Sequence, residues 1–141
     1  MSSALPPLSE VEEAFSFFDD WEDRYRYIMD LGEKLPAMAD GDRIEANLVY
    51  GCQSAVWVVL HESGSEVQID ADSDSQLVKG LAALVVIALQ GQSAAEIAAM
   101  DLAPVFDRLR LHEHLSPTRS NGLAGMIQQV RSKAAALEGN N

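Results

Sequence analysis

Residues 56–90 read VWVVLHESGSEVQIDADSDSQLVKGLAALVVIALQ. Val56 to Leu60 is dense in β-branched and aromatic side chains, which fit a pleated, half-buried surface and predict a strand. Ser63-Gly64-Ser65 supplies turn chemistry. Beyond it Val67 and Ile69 alternate with polar residues, which predicts a second strand folded back antiparallel to the first. Asp72, Ser73 and Asp74 then offer side-chain oxygens for the free N–H groups of a helix start, with Asp74 as the cap. The helix expected from about Ser75 to Gln90 is apolar nearly all round, so it belongs in the core.

Outward from this centre, the flanking segments read as helices. Ser9 to Phe18 is a short helix with Ser9 as cap and Glu12 three residues on. Asp19 or Asp20 caps the next, where Trp21, Tyr25, Ile28 and Leu31 form an apolar stripe at helical spacing. Gly32 and Pro36 mark its end. Residues 37–47 are polar, contain Asp40-Gly41-Asp42 and predict a loop, and Leu48 to Tyr50 adds a short strand. On the other side, Ser93 and Glu96 form a capping-box pattern. Pro104 suits the first turn of a helix to about Leu111. A last helix begins near Ser116 to Ser120 and runs to about Leu137, burying Leu123, Met126, Ile127 and Val130. Strands in the middle with helices before and after predict an α+β fold, a small antiparallel sheet packed with helices. The 141 residues suit a single domain with a core over about 9–137.

Ten basic residues against 22 acidic ones leave a formal charge of −12. Such a surface repels nucleic-acid phosphates and anionic membranes. It suits either a partner with a basic dock or simple solubility. One cysteine cannot form an intrachain disulfide or a cysteine-rich zinc site. Met1 to Pro7 holds no basic region followed by an apolar run, so no signal peptide is expected. The longest apolar run, Leu81 to Leu89, is far too short to span a membrane. A soluble protein of a reducing compartment, the cytoplasm, is expected. His112 and His114 lie two apart in a stretch that reads as helix or turn, which is poor metal geometry. Asp70, Asp72 and Asp74 have calcium-loop spacing, but Ser75 stands where glycine is required and Leu81 where a bidentate glutamate belongs. No metal is expected.

The one thiol lies in Val49-Tyr50-Gly51-Cys52-Gln53-Ser54-Ala55-Val56-Trp57-Val58. Gly51 accepts backbone angles that a tight loop needs. Gln53 and Ser54 can hydrogen-bond loop carbonyls or a partner. Tyr50, Val56 and Trp57 can wall an apolar pocket that shields the thiol until a partner draws it out. From these residues alone a buried, inert cysteine and a presented one both stay open.

Gly51-Cys52-Gln53-Ser54 followed by Val56-Trp57 resembles the active-cysteine signature of the SufE family, which includes the CsdE proteins. Three further blocks are similar in the family's order. They are Trp21-Glu22-Asp23-Arg24-Tyr25 with Ile28, Leu31-Gly32 and Leu35-Pro36; Asp72-Ser73-Asp74 with Val78-Lys79-Gly80-Leu81; and His114 through Leu123, which departs slightly at Ser116, Thr118 and Asn121. The resemblance covers roughly residues 17–137. It implies the fold of IscU-type scaffolds. It also implies that Cys52 accepts persulfide sulfur from a pyridoxal-phosphate cysteine desulfurase of the SufS or CsdA kind, stimulates that enzyme, and hands sulfur to an iron–sulfur cluster scaffold. Gly51, Gln53, Ser54, Trp57, Asp74 and Arg119 are then the supporting residues. Arg119 either reaches the thiol through space or forms a salt bridge at a helix start. The chain would be a sulfur carrier without its own cofactor, and a homodimer stays open. Two other readings are a hydrolase with Cys52 as nucleophile and His61 or His112 as base, and an acidic adaptor whose cysteine is incidental.

Overall fold

The computed structural model describes residues 5–49 and 55–139. The elements run α1 (Leu8–Phe17), α2 (Trp21–Glu33), β1 (Val56–Ser63), β2 (Glu66–Ser73), α3 (Gln76–Leu89), α4 (Ala94–Ala99), α5 (Ala103–Leu109) and α6 (Pro117–Gly139). Short 3-10 turns occupy Asp40–Asp42, Glu45–Asn47 and Leu111–Glu113. Among the described residues the sheet is one antiparallel pair, with Val56 opposite Ser73 and Ser63 opposite Glu66. Gly64 takes a positive φ of 65° in the hairpin turn, a conformation open to glycine at little cost. The fold is α+β, as expected.

Strand alternation sorts the two faces. Val56, Val58, Val67, Ile69 and Ala71 are buried. Around them, Ala82, Val85 and Val86 of α3 and Met126 and Val130 of α6 close one apolar seam. The opposite face carries the pairs Trp57–Asp72, Val59–Asp70 and His61–Gln68. α3 is the spine: Val78, every residue from Gly80 to Ile87, and Leu89 are buried. A single apolar cluster extends through it from Leu5 to Ala134.

The helix starts obey local chemistry, with corrections. Asp20 caps α2 by accepting from Asp23 N at 2.9 Å. Ser93 and Glu96 form the full capping box of α4. Pro104 lies in the first turn of α5, and Ser116 Oγ accepts from Arg119 N at 3.2 Å where α6 begins. Ser9 is not a cap: α1 begins one residue earlier, after Pro7, whose extended backbone makes no side-chain cap bond. Neither Asp72, Ser73 nor Asp74 caps α3. Ser75 does, accepting from Val78 N, because the three residues before it are engaged elsewhere. α5 stops at Leu109, short of Leu111, where Arg110 turns left-handed at φ 59°.

The strand at 48–50 is, in its described part, an isolated antiparallel bridge of Leu48 to Trp57. α2 ends at Glu33, between Gly32 and Pro36 as expected, and Gly32 has a packing role besides. It is a buried residue inside α2, and a Cβ there would lie 2.7 Å from Gly80 N. α2 and α3 cross backbone against backbone at this glycine pair.

Candidate functional site

Tyr50, Gly51, Cys52, Gln53 and Ser54 lie outside the described residues. Both flanks of that segment are held by hydrogen bonds. On the entry side, Val49 N donates to Val56 O at 2.8 Å, and Leu48 bridges Trp57. On the exit side, Ala55 is held three times. Its carbonyl accepts from Ser73 Oγ at 2.7 Å and from Asp74 N at 3.3 Å, and its N–H donates to Asp74 Oδ1 at 3.1 Å. Asp74 therefore does not cap α3; it secures the residue that follows the cysteine-bearing segment.

Leu48, Trp57 and Asp72 form one cross-strand row beside these anchors. Trp57 is half-buried, whereas Asp72, at 8% exposure, is the one buried charged residue among those described. Asp72 Oδ2 accepts from Arg43 Nε at 2.7 Å. Its Oδ1 accepts from Ser73 N at 2.8 Å and faces Lys79 Nζ at 3.4 Å. Arg43 Nη1 also reaches Asp40 Oδ1 at 2.7 Å. Burial pushes the Asp72 carboxyl up, but the Arg43 hydrogen bond, the Ser73 N–H and Lys79 outweigh it and hold it below the ordinary value of 3.8. The hydrogen bond to Asp72 is the main cause that raises Arg43. The cluster is ionised at neutral pH.

Sequence reasoning passed over this cluster. Asp72 registered as a helix cap or calcium ligand, and Arg43 as one residue of a polar loop. The available signal was a lone arginine in an otherwise acidic stretch, Asp40 to Glu45. Arg119 is exposed in the first turn of α6, and its side chain makes no ion pair with a described residue. His61 Nε2 pairs with Asp70 Oδ2 at 3.1 Å near the hairpin turn, at the far end of β1 from Val56. His114 stacks on Trp21 at 3.9 Å between ring centroids, and its carbonyl accepts from Tyr25 Oη. The His112 side chain lies outside the description. Among the described residues no group of three or more histidine, cysteine or acidic side chains is placed to hold a metal ion. None of the helices described is long and apolar enough to cross a membrane.

Comparison with known proteins gives this geometry its context. A family model described as "SufE: Fe-S metabolism associated domain" matches residues 9–134. An uncharacterized SufE-like protein of Rhizobium etli is 44% identical over 134 residues, covering 92% of this chain and 90% of that protein. A second, from Rhizobium meliloti, is 40% identical over 134 residues, covering 92% and 96%. The solution structure of a hypothetical protein from Thermus thermophilus superposes with a TM-score of 0.75 at 22% identity, over 94% of this chain and 96% of that one, a likeness of fold. With the family model spanning most of the chain and two relatives at 40% and 44% identity, the chain belongs to the SufE family, whose domain is associated with iron–sulfur metabolism.

Proposed function

We propose that this protein accepts persulfide sulfur on Cys52 from a pyridoxal-phosphate cysteine desulfurase, stimulates that enzyme by clearing its product, and passes the sulfur to a cluster scaffold. The observation that carries the reading is the frame around the chain's one thiol. In a SufE-family chain, the cysteine-bearing segment leads into β1 between two anchored residues, Val49 and Ala55, beside a half-buried Trp57. A short segment tied at both ends presents its thiol from a fixed base, as delivery into another protein's active site requires.

The chemistry is thiol exchange. The Cys52 thiolate attacks the outer sulfur of the desulfurase persulfide. A new S–S bond forms on Cys52, the desulfurase S–S bond breaks, and the desulfurase cysteine leaves as thiolate. Nothing is oxidised or reduced overall, and the pyridoxal phosphate belongs to the partner. Cys52 is the acceptor atom; Gly51, Gln53, Ser54 and Trp57 shape its setting, Asp74 secures Ala55, and Arg119 supplies positive charge toward the thiolate. The thiol is shielded in the free protein and delivered on docking, which limits its oxidation between encounters. The chain works as one domain in the cytoplasm, with neither nucleic acid nor membrane as partner.

Intact-mass analysis after incubation with a SufS-type or CsdA-type desulfurase and cysteine tests the reading. One added sulfur that a reductant removes is expected, and none on Cys52→Ser. A Cys52→Ser protein that still stimulates the desulfurase would favour the adaptor reading. Acyl modification of Cys52 without any partner would favour the hydrolase.

A further inference from the structure

We infer that Arg43 and Asp72 are positioning residues for sulfur transfer: their ion pair holds the stretch that leads into the Cys52 segment against the sheet and the residue that follows the segment, beyond the single Val49–Val56 hydrogen bond and the Leu48–Trp57 bridge. The kinetic part of this inference rests on the function proposed above; the structural part does not.

No residue from 39 to 48 is buried. This stretch leads directly into Val49 and the cysteine-bearing segment, yet it has no apolar side chain sunk in the core to locate it. Ile44 is 48% exposed, and among the described residues the Asn47 side-chain amide donates to Asp42 O, within the stretch itself. Arg43 is its one cation. The Arg43 guanidinium spans Asp40 and Asp72, so it both folds the stretch on itself and ties it to the sheet. Asp72 passes the tie onward. Its Oδ1 holds Ser73 N, and Ser73 Oγ holds the carbonyl of Ala55, at the exit of the segment. Lys79 adds α3 to the same carboxylate. One buried carboxylate thus connects the stretch before the cysteine-bearing segment, Ala55 at its exit and the first turns of the core helix.

The pair orients the chain more than it stabilises it. An ion pair whose arginine is partly exposed contributes little net stability, because solvent screening and side-chain entropy offset attraction, whereas its directional hydrogen bonds fix orientation. The pair also lies on the sheet face away from the apolar seam, so the core does not depend on it. If Arg43 is removed, Asp72 still keeps Ser73 N–H and Lys79 as partners, and the fold survives.

The test uses the full chain with Arg43→Gln, Arg43→Lys and the double variant Arg43→Gln/Asp72→Asn. Arg26→Gln serves as control, since Arg26 pairs with Glu22 and Asp23 on the exposed side of α2. In the free protein, Arg43→Gln raises the rate of Cys52 alkylation by a bulky maleimide about fivefold, the scale of one partly exposed ion pair. Its thermal transition stays cooperative and within a few degrees of the parent. Arg43→Lys, which keeps the charge and loses the fork, restores part of the effect. The double variant is no worse than Arg43→Gln, because the two residues act as a unit. With desulfurase, the maximal stimulation by Arg43→Gln falls while the half-saturating concentration changes little. An alkylation rate equal to that of the parent and of Arg26→Gln overturns the inference. So does a rise that comes with loss of the cooperative transition, since that would make Arg43 a general stabiliser. If the parent protein itself takes no sulfur, the proposed function fails, while the alkylation rates still judge the positioning role.

Discussion

Replacing Gly80 with alanine should destabilise this protein, although alanine is the better helix former. Gly80 sits in the first half of α3, where it is crossed by α2. An added Cβ would fall on the carbonyl oxygen of Ile28, 2.6 Å from Ile28 Cγ2 and 2.7 Å from its carbonyl carbon. Carbon contacts settle near 3.5–4.0 Å, so the two helices must separate by roughly 1 Å. The obstacle is mainly backbone, which cannot swing aside as a side chain can. Overpacking of this kind costs about 1–3 kcal/mol, and a backbone clash belongs at or above the top of that range. Better helix propensity returns about 1 kcal/mol. The net loss is about 2–3 kcal/mol, a large part of the ~5–15 kcal/mol that holds a typical domain folded. At about 2–4 °C per kcal/mol, the midpoint should fall by roughly 5–10 °C. Thermal and urea unfolding followed by far-ultraviolet circular dichroism measures this, with Gly41→Ala as control, since a Cβ at Gly41 meets nothing within 4 Å. Gly32→Ala strikes Gly80 N and the Lys79 carbonyl carbon, so it should act in the same sense. Joining the two should cost less than their sum, because one helix shift relieves both. A Gly80→Ala protein as stable as the parent would refute the close crossing.

Two further outcomes follow from charge. With a formal charge of −12, encounter with a basic desulfurase surface should weaken as salt rises, because the screening length shortens from about 10 Å at 0.1 M to about 3 Å at 1 M. Stimulation at limiting acceptor should fall accordingly, and a response flat across salt would assign the contact to apolar burial. Because the folded pKa of Asp72 lies below its ordinary 3.8, its contribution to stability is complete above that value and is lost as pH falls through the folded pKa. Asp72→Asn should therefore lose about 1–2 kcal/mol at pH 7, reduced from a fully buried case because Arg43 and Lys79 are each about a third exposed. Urea titrations of both proteins should show that difference shrink below about pH 4, and a difference independent of pH would remove Asp72 from the acid response.

The order and type of elements were legible in the chain because they depend on local physics. β-branched alternation across a Gly64 turn makes a hairpin whatever surrounds it. The Ser93–Glu96 box and the Asp20 cap satisfy N–H groups within three residues of themselves. The all-round apolarity of α3 can be accommodated only by burial. Cys52, the one thiol, was singled out by the resemblance of its motif to a family signature, not by local physics. What the chain could not disclose were choices among equivalent partners distant in sequence. Three side chains before α3 could each have capped it, and Ser75 does so because Asp72 is taken by Arg43, 29 residues away, while Ser73 and Asp74 are taken by Ala55. Gly32 carried the composition of a helix end, and only the approach of Gly80 across two helices gives it a packing role. Local capping energies are alike to within about 1 kcal/mol, so the long-range contacts decide which residue does which job.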